Sequence, residues 1–174
     1  LSAANKGPAQ RVAYSGILAA CCLLTLFLAT VLPTNRIFFY GLSSVFAAII
    51  IIEHGTKAGG IFYVATCLLA LMIIPNKLRL IPYIFILGHY PIWKTCFERQ
   101  KNRAVEILLK LLVLDLGTLA AYYVFTGLFF HNLTLPVDVK LILLGLQVLF
   151  IVYDYVFTLF IKFYLDKIRP MTNR

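Results

Sequence analysis

Six long apolar stretches leave this chain little freedom in choosing a fold. They run over 12–32, 37–53, 58–74, 80–97, 104–130 and 139–165, each close to the roughly 20 residues that a helix needs to cross a bilayer. Inside hydrocarbon no water satisfies a backbone N–H or C=O, so such segments must close their own hydrogen bonds as helices. The breaks at 33–36, 53–57, 75–79, 94–103 and 131–136 all carry charge or turn residues. The expected fold class is an all-α integral membrane protein with six transmembrane helices.

Almost nothing is left outside those segments. Of 174 residues, 61% are hydrophobic, well above the roughly half of a soluble domain, and the mean hydropathy is +0.90. A soluble catalytic domain has no room. The expected organisation is a polar lead-in over 1–11, one six-helix domain over 12–165 and a basic tail over 166–174. The lead-in has no apolar core of its own, which argues against a cleaved signal peptide.

A net charge of +9 would suggest nucleic acid in a soluble protein, but here the cations flank apolar segments, so anionic lipid headgroups are the expected partner. Their distribution also orients the chain. Lys6, Arg11, Lys57, Lys94, Arg99, Lys101, Arg103, Lys162, Lys167, Arg169 and Arg174 fall on one side, and only Arg36, Lys77, Arg79 and Lys140 on the other. The positive-inside bias places both termini and the 94–103 loop in the cytoplasm of a plasma-membrane protein, with 33–36, 75–79 and 131–138 facing out.

No catalytic or cofactor chemistry is legible. The phosphate-loop pattern GxxxxGK[ST], HExxH, GxSxG and paired CxxC are all absent. Cys21, Cys22, Cys67 and Cys96 lack metal-ligand spacing, so neither an enzyme, a cofactor nor a metal site is expected.

The fourth stretch holds the strongest local irregularity. Pro91 removes the amide that would bond the carbonyl of Leu87, and Gly88 and His89 beside it soften the break, so a kinked fourth helix is expected. The freed carbonyl leaves two readings, an ordinary proline kink or a polar hollow formed with His89 and Tyr90.

Intramembrane charges are costly when unpaired and tend to find each other. Glu106 and Lys110 share a helix face at four-residue spacing. Counted from the basic loop at about 1.5 Å per residue, Lys110 lies roughly 10 Å deep and Asp154 about 12 Å, so the two are expected to pair. Gln147, Asp154 and Thr158 form one stripe of the sixth helix, and Glu53, Lys57 and Lys94 stand where they can join from the cytoplasmic side. Such a cluster serves either as a clamp on helix register or as a path for protons or ions. Asp115 turns to the opposite side of a fifth helix that is polar on two sides and therefore expected to be central. It faces Tyr122 and an outer hollow rimmed by Arg36, Asn76, Lys77, Arg79, Tyr83, His131 and Asn132. Each rim residue equally suits an interfacial or snorkelling role.

Small residues recur at four-residue spacing in the first helix, as Ser15/Ala19 and Gly16/Ala20, where they open a groove for another helix, in this bundle or a partner. Ser44 and Ala48 repeat the device in the second. A short six-helix chain with cytoplasmic ends, this small-residue pattern and polar residues gathered toward the outer loops resembles the substrate-binding (S) subunits of energy-coupling factor vitamin transporters. The resemblance covers nearly the whole chain as architecture. It implies a transmembrane coupling subunit meeting the first helix, separate ATPases supplying energy, and a small vitamin-like solute bound on the outer side. The competing expectation is a structural or regulatory protein whose cytoplasmic charges dock a partner or anionic lipid.

Overall fold

The computed structural model describes residues 7–98, 100, 102–129 and 139–168. Among these the chain is helical, with no strand. Helices α1 (Pro8–Val31), α2 (Arg36–His54) and α3 (Thr56–Ile73) come first. A 3-10 turn (Lys77–Leu80), a π-helical turn (Tyr83–Leu87) and the short α4 (Tyr90–Phe97) follow. α5 (Arg103–Phe129), α6 (Val139–Phe163) and a terminal π-helical turn (Tyr164–Ile168) complete the order.

Among the described residues four helical segments are long and apolar enough to cross a membrane: Ala9–Val31, Arg36–His54, Thr56–Ile73 and Leu143–Lys167. The 80–97 stretch is not one α-helix. Pro82, Gly88 and Pro91 punctuate it, the Gly88 amide reaches five residues back to the Tyr83 carbonyl at 2.7 Å, and regular α-helix resumes only at Tyr90. The loosened carbonyls are used: that of Ile84 accepts from the Tyr63 hydroxyl at 2.6 Å, as buried backbone polar groups require.

α2 is the centre of the bundle. One face, with Ala47 and Ile50, packs with Cys22, Leu26, Phe62, Ala70 and Tyr83 of α1, α3 and the π turn. Its other face, with Val45, Ala48 and Ile49, packs with Tyr90, Leu114, Phe150 and Phe157 of α4, α5 and α6. The small pair Ser44/Ala48 is buried inside the chain, and Ser44 meets the Tyr153 hydroxyl of α6 at 2.5 Å. α5, expected at the centre, is peripheral: Leu108, Leu112, Leu116, Leu119 and Tyr123 are exposed along it. One face suffices because α4 and α6 together supply the partners its charges need.

The antiparallel course gathers opposite ends. Tyr14 of α1 meets the Tyr164 hydroxyl at 3.4 Å, and Tyr164 donates to Glu53 at the end of α2 at 3.3 Å. At the other end Arg79 donates to the Thr30 carbonyl and accepts, through its own carbonyl, from Tyr40.

Candidate functional site

Tyr90 and Lys94 of α4 and Glu98, just past its end, stand one helical turn apart, so all three present to one side. There they meet Asp154 of α6 and Lys110 of α5. The Lys94 ammonium, on a residue only 1% exposed, lies 2.5 Å from Asp154 Oδ1, 2.6 Å from Glu98 Oε1 and 2.8 Å from Thr158 Oγ1. Lys110, 5% exposed, lies 2.6 Å from Glu106 Oε1, 2.9 Å from Asp154 Oδ2 and 3.5 Å from Glu98 Oε1. The Tyr90 hydroxyl also donates to Asp154 Oδ1. One carboxylate therefore binds two buried ammonium groups, one through each oxygen. That arrangement repays the desolvation of both cations by giving each a partner and most of its donor capacity.

The Lys110–Asp154 pair expected from matched depth is present, as is the Glu106–Lys110 pair within α5. Glu98 and Tyr90 are added by the structure, and four-residue spacing to Lys94 on either side is the sequence signal that finds them. Glu53 belongs to the separate Tyr14–Tyr164 contact, and Lys57 is exposed at the start of α3.

Between α5 and α6 the network opens into a crevice of about 780 Å³. Arg103 and Lys162 stand at its mouth, Glu106, Lys110, Asp154 and Thr158 along its middle, and Leu111, Phe150 and Ile151 at its inner end. The axial order follows from the sequence, because α5 runs inward from Arg103 while α6 runs outward to Lys162.

The described residues among those expected around an outer hollow are not brought to one place. Tyr83 has no exposed surface, and its hydroxyl is 3.2 Å from Thr66 Oγ1 and 3.5 Å from Cys22 Sγ. Arg36 Nε donates to the Leu32 carbonyl at 3.2 Å, and Arg79 ties α1 to α2 as above. Asn76 is exposed in the turn before the 3-10 segment. Asp115 faces α6, where Gln147 Nε2 lies 3.2 Å from each carboxylate oxygen. Tyr122 is exposed beside Tyr123, and His131 and Asn132 lie outside the described residues. None of the described members lines the α5–α6 crevice.

On α1, Ser15 and Ala19 are half-buried, whereas Gly16 and Ala20 are exposed and a side chain at Gly16 would meet nothing within 4 Å. The Gly16/Ala20 strip is thus not filled by the described helices of this chain. Ala20→Leu should shift thermal stability by less than about 0.5 kcal/mol, as at an open surface position. A loss in the overpacking range, about 1–3 kcal/mol, in the isolated protein would mean that the strip is covered.

Among the described residues no group of three or more His, Cys, Asp or Glu is arranged to hold a metal ion. Comparison with known proteins finds no matching family model, no matching curated protein and no matching solved structure.

Proposed function

We propose that this chain is a non-enzymatic, multi-pass membrane protein that binds a small charged molecule in the α5–α6 crevice. The carrying observation is the crevice itself: its volume of about 780 Å³ falls within the usual range for small-ligand sites, and six charged side chains line it together with the apolar Ile107, Leu111, Phe150 and Ile151. In this reading the chain crosses the plasma membrane six times, with both termini and the crevice mouth cytoplasmic. The fourth crossing is the composite segment from Lys77 to Phe97, kinked between Gly88 and Pro91. The excess of Lys and Arg on the side of Arg103 and Lys162 supports that orientation. The exposed apolar residues along α3, α5 and α6 support lipid around the bundle.

One observation favours a transport version of this reading. The open Gly16/Ala20 strip on α1 suits the close approach of another helix, as the resemblance to energy-coupling factor S subunits implies for a coupling subunit served by separate ATPases. The bound solute would then occupy the α5–α6 crevice rather than a hollow around Asp115.

Native mass spectrometry of the purified protein tests the reading. A retained small molecule should be present in wild type and absent from Ile151→Trp, which fills the crevice from a residue already 54% exposed. Retention by both proteins, or by neither, would overturn the crevice as the binding site.

A further inference from the structure

The distribution of charge and apolar surface along the crevice specifies the ligand more closely. Lys94, Lys110, Arg103 and Lys162 carry +4, and Glu98, Glu106 and Asp154 carry −3, so the walls and their immediate supports sum to +1. The excess is not spread evenly. The buried ammonium groups are engaged by the three carboxylates, whereas Arg103 and Lys162 are exposed and have no ion partner among the described residues. The free positive charge therefore sits at the mouth.

The other end of the crevice has the opposite character. Leu111, Phe150 and Ile151 form it, and Ile107 and Ile151 are each more than half exposed along its open side. From Arg103 to Leu111 is eight residues, about 12 Å along the axis, and from Lys162 to Phe150 twelve residues, about 18 Å. The cleft is thus a lengthwise slot, cationic at one end and apolar at the other. It opens between two helices whose outer faces are apolar. A freely water-soluble anion would use only the mouth, and an uncharged hydrocarbon would leave both cations unpaired.

We infer that the crevice holds a singly charged anionic amphiphile of the phospholipid type, its phosphodiester between Arg103 and Lys162 and the upper part of an acyl chain against Leu111, Phe150 and Ile151. This inference rests on the crevice being the binding site and adds the class of ligand. The ion network gives the slot its fixed width, because Lys110 and Asp154 hold α5 and α6 together at mid-depth. An anion placed deeper than Arg103 meets Glu106 and Asp154, so the head is held at the mouth by repulsion below as well as attraction above.

Binding by the purified protein in neutral detergent is to be measured for dioleoyl-phosphatidylglycerol, dioleoyl-phosphatidylcholine, oleate and deacylated glycerophosphoglycerol. Phosphatidylglycerol should bind most tightly. Arg103→Ala with Lys162→Ala should reduce its affinity about 30-fold, about fivefold for each cation at a lipid surface, and barely alter phosphatidylcholine. Both positions are exposed, so folding is not at stake. Ile151→Trp should weaken every acylated ligand. Equal affinity for the two phospholipids overturns the anionic head, and oleate binding tighter than phosphatidylglycerol overturns the phosphodiester. If glycerophosphoglycerol binds as well as the intact lipid, the amphiphile falls while the crevice stands as a solute site. If no probe binds, the inference falls, and the mass spectrometric result decides separately whether the crevice binds anything else.

Discussion

Asp154→Leu should be among the most damaging single substitutions in this chain, lowering stability by about 3–5 kcal/mol in thermal or denaturant unfolding of the purified protein. Its carboxylate is the shared partner of two ammonium groups on residues only 1% and 5% exposed, so its removal leaves two largely buried charges short of a partner. The rescue should be unequal. Lys110 retains Glu106 at 2.6 Å after Asp154 is gone, whereas Lys94 retains only Glu98, whose side chain is 40% exposed, and Thr158. Lys94→Met combined with Asp154→Leu should therefore recover more stability than Lys110→Met combined with Asp154→Leu. The coupling energy in the first cycle should reach about 1–3 kcal/mol. Strictly additive losses in both cycles would show that Asp154 does not bind the network together.

That network was partly legible in the sequence, for a reason particular to membranes. Charges in an apolar segment are few, so matching Lys110 with Asp154 by depth needs only a count of residues from a common end. The same count brings Asp115, twelve residues from Arg103, near Gln147, fifteen from Lys162. Helical azimuth alone turned Asp115 the other way, because azimuth within one helix does not say where a neighbouring helix crosses it. Lys94 was visible as a candidate, but treating the residues beyond it as loop hid Glu98, which continues the α4 face by one more turn.

The arrangement of the bundle was much less legible. In a soluble helix an apolar stripe marks the inward face, but here lipid-facing and protein-facing residues are equally apolar. Nothing in Leu108, Leu112 and Leu116 distinguishes exposure from burial, and nothing in the run Ala47–Ile50 announces that both faces of α2 are covered. The π turn at Tyr83–Leu87 was not legible, because it is braced by a tertiary contact, the packing of α5 against the Phe85 carbonyl.

The residues that fasten α6 are also those that shape the crevice. Asp154, Thr158 and Tyr153 hold the helix to α4, α5 and α2, and Asp154 and Thr158 line the slot. A ligand that bridges Arg103 and Lys162 adds a further link between α5 and α6, so it should raise thermal stability by mass action.

Gly117→Ala should destabilise the fold at the place where α5 meets the π-helical turn. A methyl group on Gly117 would run into the Phe85 carbonyl oxygen, far inside van der Waals contact. A clashing side chain can rotate away, but a carbonyl held within Tyr83–Leu87 moves only if that turn rewinds or α5 withdraws. Withdrawal carries Leu114 out of its core and pulls Lys110, two turns away on the same face, from Asp154. The expected loss is at the upper end of the overpacking range, about 3 kcal/mol, despite alanine's better helix propensity. Gly127 in the same helix is the control, since a side chain there meets nothing within 4 Å. Gly127→Ala should leave stability unchanged or raise it by up to about 1 kcal/mol. Thermal unfolding of the two variants side by side decides the matter: if Gly117→Ala is as stable as Gly127→Ala, α5 does not rest on the π turn.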